Sequence, residues 1–175
     1  MAALEKILQS IARLAPSDQV ELASQLLARL EREGRWPPRP GPGEDSVEVL
    51  LLFDGGSLGN PGPGYGSYIL SLPDGREIHR RLDFGRPMTN NEAEYETLVS
   101  GLEEAHRLLG EGVSQTTLEV RGDSLLVCQQ VQGRWKARDA RMKALRDQVL
   151  ELLRPFAAWR LLKVPRREVA GRLGH

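Results

Sequence analysis

In Val47-Glu48-Val49-Leu50-Leu51-Leu52-Phe53-Asp54-Gly55-Gly56-Ser57-Leu58-Gly59-Asn60-Pro61-Gly62 a nearly continuous apolar run ends in a carboxylate and gives way to glycines and small polar residues. Such a run predicts a central strand covered on both faces, because a half-solvated strand would alternate polar and apolar side chains. Asp54 then stands where buried sheet passes into loop. Taken alone, Asp54-Gly55 reads equally as a strand-ending turn, since Asp-Gly pairs supply turn chemistry. The continuation Ser57-Leu58-Gly59-Asn60-Pro61-Gly62 argues for more than a turn. Its glycines let a backbone approach a phosphate or sugar closely, and its polar side chains can contact one.

Outward from this strand, residues 65–72 and 77–84 flank Pro73-Asp74-Gly75, the turn chemistry of a hairpin, so three antiparallel strands are expected. A helix follows Thr89-Asn90-Asn91 and runs to about Leu109. Beyond it the sequence predicts a strand at 117–120, a helix from Ser124, a helix near 139–153 and a last strand near 159–164. Glu94 lies four residues before Leu98 and eight before Leu102, with Ala105 and Leu109 continuing that face. A carboxylate thus heads the helical stripe that faces the sheet, whereas Glu92, Glu96 and Glu103 fall on other faces and read as solvated charge. An inward ionised Glu is costly without a partner, so a basic residue or a metal should meet Glu94. The helix dipole explains its place in the first turn but not its inward face.

Asp123, in Arg121-Gly122-Asp123-Ser124, ends a strand and starts a helix. On its own it reads as an N-cap, a role equally open to Ser124. Carboxylates converging from separate elements are, however, how a protein holds hard divalent cations. The chain's asparagines, Asn60, Asn90 and Asn91, all fall in the neighbourhoods of these three acids.

The ordered set Asp54-Gly55-Gly56-Ser57-x-Gly59-Asn60-Pro61-Gly62, Thr89-Asn90-Asn91-x-Ala93-Glu94-Tyr95, Gly122-Asp123-Ser124, Gly133-x-Trp135-Lys136 and Val164-Pro165-Arg166 resembles the type 1 ribonuclease H family. The resemblance spans residues 46 to the C-terminus and leaves the first forty-five unexplained. It implies an α/β ribonuclease H-like fold, a mixed five-stranded sheet flanked by helices. It further implies a metal-dependent endonuclease that hydrolyses the RNA strand of RNA–DNA hybrids by two-metal-ion catalysis. Asp54, Glu94 and Asp123 would be the metal-holding catalytic acids. Gly55, Ser57, Asn60, Thr89, Asn90, Asn91 and Lys136 would contact the substrate. Oxygen-only ligands favour two Mg²⁺ ions, with Mn²⁺ as a substitute. The family's usual fourth acid, an Asp on the final helix, falls at Leu173, and Val169 stands where an Asn is common. Glu168, His175 and the terminal carboxylate are the substitutes on offer. This departure keeps open a second class, a catalytically weak or silent ribonuclease-H-fold module that binds nucleic acid or a protein partner.

The 175 residues allow one full domain plus a small appendage. Lys+Arg and Asp+Glu each number 24, so net charge supplies no electrostatic footprint for nucleic acid and argues against a strong nonspecific binder. No His-Cys cluster suggests zinc, and no Gly-rich loop ends in Gly-Lys-Ser/Thr, which argues against nucleotide triphosphate hydrolysis. The single cysteine, Cys128, sits in an apolar run and reads as a buried structural thiol; His79 and His106 read as surface residues. Ile7, Ile11, Leu14, Leu22, Leu26, Leu27 and Leu30 recur at helical spacing, predicting a helical hairpin over 1–34, then a Pro/Gly-rich linker over 35–46 and the catalytic domain over 47–175. Two short helices bury little alone, so the hairpin should dock on the main domain, self-associate or contact another protein. With neither a signal peptide nor a membrane span at the N-terminus, a cytoplasmic protein is expected.

Overall fold

The computed structural model describes residues 10–15, 18, 19, 22, 25 and 47–173, and the chain divides into two units, Met1–Gly41 and Pro42–His175. In the first unit, residues 10–12, 18, 19, 22 and 25 are helical. The remainder of the expected hairpin and the 35–46 linker lie outside the described residues, as does His175. Among the described residues no helix is long and apolar enough to cross a membrane.

In the second unit five strands form one sheet in the order β3-β2-β1-β4-β5. β1 (Val47–Ser57) pairs antiparallel with β2 (Gly62–Ser71), which pairs antiparallel with β3 (Glu77–Met88). On its other side β1 runs parallel to β4 (Thr116–Gly122), and β4 parallel to β5 (Ala158–Lys163). The helices are α1 (Asn90–Leu109), α2 (Leu125–Val131), α3 (Ala140–Leu153) and α4 (Arg166–Leu173). The mixed five-stranded sheet flanked by helices is the architecture expected from the sequence.

Alternation along β1 divides its apolar run between the two faces of the sheet. Val49, Leu51 and Phe53 join the main core with Leu98 and Leu102 of α1, Val149 and Leu153 of α3, and Leu118 and Val120 of β4. Leu52 points the other way, into a smaller cluster with Ile69 of β2, Val164 just before α4, and Val169 and Leu173 along α4. Coverage of both faces is thus real at Leu52 and incomplete beside it. There, buried Glu119 accepts from Arg121 Nε at 2.5 Å and from Arg160 Nε, and Arg160 also reaches Glu48 at 2.9 Å. Cys128 is buried, as expected.

The first hairpin is longer than its sequence suggests. β1 does not stop at Phe53: Asp54, Gly55, Gly56 and Ser57 remain paired, with Ser67, Gly66, Tyr65 and Gly64 respectively. Asp54 therefore lies inside a strand, not at its end. The glycines that read as a turn serve close packing instead. A Cβ on Gly55 would lie 2.4 Å from the Ala93 carbonyl oxygen, and one on Gly66 1.9 Å from Thr97 Oγ1, so α1 sits against bare backbone.

Candidate metal centre

Three elements deliver one carboxylate each to the same place. The parallel ladder between β1 and β4 ends at the pair Leu52 and Arg121, and Asp54 and Asp123 follow just beyond on their respective chains. Glu94 comes from the start of α1, whose backbone at Ala93 and Glu94 is pressed against Gly55, next to Asp54. One carboxylate oxygen from each of Asp54, Glu94 and Asp123 lies within 4.8 Å of the others, and all three residues are half-buried.

The electrostatics of this cluster are unfavourable as it stands. Burial pushes the Glu94 carboxyl up to about 8, and the neighbouring charges of Asp123 and Asp54 push in the same direction, against a hydrogen bond from Ser124. Glu94 Oε2 is buried without a hydrogen-bond partner. Of the partners the sequence allowed for Glu94, the basic one is present only as the Arg166 charge, which counts for less than burial and the two neighbouring acids. Oxygen-only donors from separate elements, one with an orphaned buried atom, suit a hard divalent cation. Asp123 is released for this arrangement because Ser124 takes the capping role, its side chain accepting from Val127 N–H at the head of α2.

Around the acids, the β1–β2 loop is tied to the start of α1. Asn90 Oδ1 accepts from Ser57 N–H and lies 2.9 Å from Ser57 Oγ, and Asn60 Oδ1 accepts from Asn90 N–H at 3.2 Å. Both asparagines and Asn91 are exposed. Thr89 is engaged in the helix itself: its hydroxyl accepts from Glu92 N–H, while Glu92 Oε2 accepts from Thr89 N–H at 2.7 Å and lies 2.8 Å from Thr89 Oγ1. Lys136, beside the 47% exposed Trp135, lies on the exposed segment between α2 and α3.

Several expectations change. Glu92 is not solvated charge; it is only 7% exposed, closes a capping box with Thr89 and meets Arg141 at 3.0 Å. The Thr89 backbone N–H is the main reason its carboxyl is held below the ordinary range. The signal was present as Thr89-x-x-Glu92, the spacing of a capping box, which hides a Glu that helical periodicity alone assigns to solvent. Glu96 likewise pairs with Arg86. His106 is not a simple surface residue: its ring lies 2.7 Å from the Leu152 carbonyl and edge-on to Phe156. Glu168 offers no fourth acid, because it pairs with Arg121 at 3.2 Å and is not among the clustered carboxylates. Leu173 is buried in the smaller apolar cluster.

A family model described as reverse transcriptase-like matches residues 52–169. The chain is 38% identical over 118 residues to Ribonuclease HI of Halobacterium salinarum, an alignment covering 67% of this chain and 57% of that protein. It spans between 32% and 57% of the length of the first curated relatives it matches. The crystal structure of RNase H1 from Halobacterium salinarum superposes with a TM-score of 0.60 at 37% identity, over 72% of this chain and 93% of that one. LC11-RNase H1, a compost protein solved in complex with RNA/DNA hybrid, gives a TM-score of 0.61 at 27% identity, over 70% of this chain and 89% of that one.

Proposed function

The chain belongs to the type 1 ribonuclease H family, and from that premise we propose that it is a divalent-metal-dependent endonuclease hydrolysing the RNA strand of RNA–DNA hybrids. The observation that carries this reading is the set of three carboxylates within 4.8 Å of one another, with a buried Glu94 oxygen left unpartnered. The LC11 relative, solved with a hybrid bound, supports the choice of substrate.

Asp54, Glu94 and Asp123 hold the metal in this reading. These residues would hold a pair of Mg²⁺ ions, or Mn²⁺ in their place, which would supply Lewis-acid activation of a water and charge neutralisation at the leaving 3′ oxygen. Gly55 serves the site by letting the first turn of α1, and with it Glu94, close on β1 beside Asp54, where substrate can meet its backbone. Asn60 and Asn90 spend their carbonyl oxygens on the ties to Asn90 N–H and Ser57 N–H, which leaves their amide NH₂ groups as donors. Those donors, with Asn91, read the acceptors of the minor groove and the 2′-hydroxyl, which separates RNA from DNA. Ser57 and Lys136 add contacts to the nucleic-acid backbone, while Thr89 serves by fixing the loop that bears Asn90.

Incubation with a labelled RNA–DNA hybrid in Mg²⁺, Mn²⁺ or chelator tests the assignment. Metal-dependent shortening of the RNA strand, with duplex DNA left whole, is the expected result. Equal cutting of both duplexes, or cutting that survives the chelator, rejects it. A protein that binds the hybrid and cuts nothing in either metal is instead the silent module.

A further inference from the structure

Glu92 is an acid that the metal centre does not use, yet it is only 7% exposed. A capping box needs only the reciprocal bonds between Thr89 and Glu92. This one has more. The second carboxylate oxygen of Glu92 meets Arg141 Nη1 at 3.0 Å, and Arg141 sits in the first turn of α3. A largely covered carboxylate thus joins the head of α1 to the head of α3, with its Oε2 fixed on both the backbone N–H and the hydroxyl of Thr89.

Thr89 is followed directly by Asn90, and Asn90 is the knot of the substrate loop. Its backbone N–H holds Asn60 and its side-chain oxygen holds the Ser57 N–H. Because backbone N–H donors take both amide oxygens, the orientation of each amide is determined, and the exposed NH₂ groups of Asn60 and Asn90 have no protein partner among the described residues. Any shift of Thr89 moves Asn90 and, through it, Asn60. The turn that carries Glu94 has a second seat besides the Ala93 N–H bond to the Thr89 carbonyl, because the backbone of Ala93 and Glu94 closes directly on Gly55 of β1.

We propose that Glu92, braced by Arg141, is a positioning residue for hybrid binding: it fixes Thr89, and through Thr89 the Asn60 and Asn90 donors, so that it governs substrate affinity and not the chemical step. This rests on the hybrid-nuclease reading above.

The test measures kcat and KM of the full chain on a labelled hybrid in Mg²⁺, together with the Kd for the same hybrid in chelator by fluorescence anisotropy. Glu92→Ala is expected to raise KM and Kd about fivefold to tenfold, the loss of one or two hydrogen bonds, with kcat within about twofold of the parent. Glu92→Gln, which keeps the capping acceptor, should bring both constants back to within about threefold. A fall in Tm with KM and Kd unchanged would make Glu92 an ordinary cap and overturn the proposal, as would a loss confined to kcat. Should Glu92→Ala not fold, Arg141→Gln decides at an exposed position: a rise of about twofold in KM and Kd supports the brace, and no rise overturns it. A parent protein that cuts nothing but binds the hybrid more tightly than Glu92→Ala would sink the nuclease reading alone. A parent that neither cuts nor binds sinks both.

Discussion

Glu94 concentrates the energetics of the site at a single residue. Its carboxyl titrates near 8 in the folded protein against an ordinary value of 4.5, chiefly because burial penalises the charge. Between those two values the folded chain holds a proton that the unfolded chain releases, so the stability of the metal-free protein falls as pH rises through that window. Glu94→Gln removes the penalty. Its Tm in chelator should exceed the parent's near pH 8, by a stabilisation on the order of 4 kcal/mol, and match it near pH 4.5. The same substitution, like Asp54→Asn and Asp123→Asn, should cut metal-dependent turnover by about two orders of magnitude while the fold persists. Thermal melts across pH and single-turnover cleavage assays check both halves. A variant that keeps near-parental turnover removes that residue from the metal set. Glu92 shows the complementary lesson, because helical periodicity placed it on a solvent face and only its bonds to Thr89 and Arg141 bury it.

Among the elements, the junction of β1 and α1 decides whether the acids meet at all. The helix approaches the strand over Gly55 at a distance no side chain tolerates, since a Cβ there would stand 2.4 Å from the Ala93 carbonyl oxygen and 2.6 Å from the Glu94 nitrogen. Those atoms are backbone and cannot swing aside. Gly55→Ala should therefore destabilise the protein by about 1–3 kcal/mol, the usual cost of overpacking, and should push the first turn of α1 away from Asp54. Thermal denaturation and metal titration read the two consequences, and a variant with parental Tm and parental metal affinity would show that the contact does not set the site. Strand ends were the least readable part of the chain for the same reason. Gly55 and Gly56 carry turn chemistry in sequence, but here they continue β1, because Gly55 is the bare backbone that α1 packs on and Gly56 leaves room for the Tyr65 ring.

At the scale of the molecule, among the described residues the two buried apolar clusters fall between Val49 and Leu173. The unit Pro42–His175 thus carries its own core, and deletion of residues 1–41 should leave a folded protein with Tm within a few degrees of the parent and kcat unchanged. Circular dichroism melts and steady-state cleavage assays test this. An unfolded truncation would place part of the core in the first forty-one residues, and an effect on hybrid affinity or assembly would assign them a binding role. The sequence by itself determined which elements form from β1 to β5 and in what order, because an unbroken apolar run, a helical stripe headed by Glu94 and the Pro73-Asp74-Gly75 turn each follow from local periodicity and backbone chemistry, whereas α4 did not follow from them. It also marked Asp54, Glu94 and Asp123 as acids in unusual surroundings. Only the tertiary structure decided that their oxygens lie within 4.8 Å, that Ser124 and not Asp123 caps α2, that Glu92 is buried and that Leu173 packs with Leu52 and Ile69. The meeting of the acids depends on the parallel register of β1 with β4 and on the close approach of α1 to Gly55, and the packing of Leu173 on Leu52 and Ile69 likewise joins residues tens of positions apart, contacts that local periodicity does not encode.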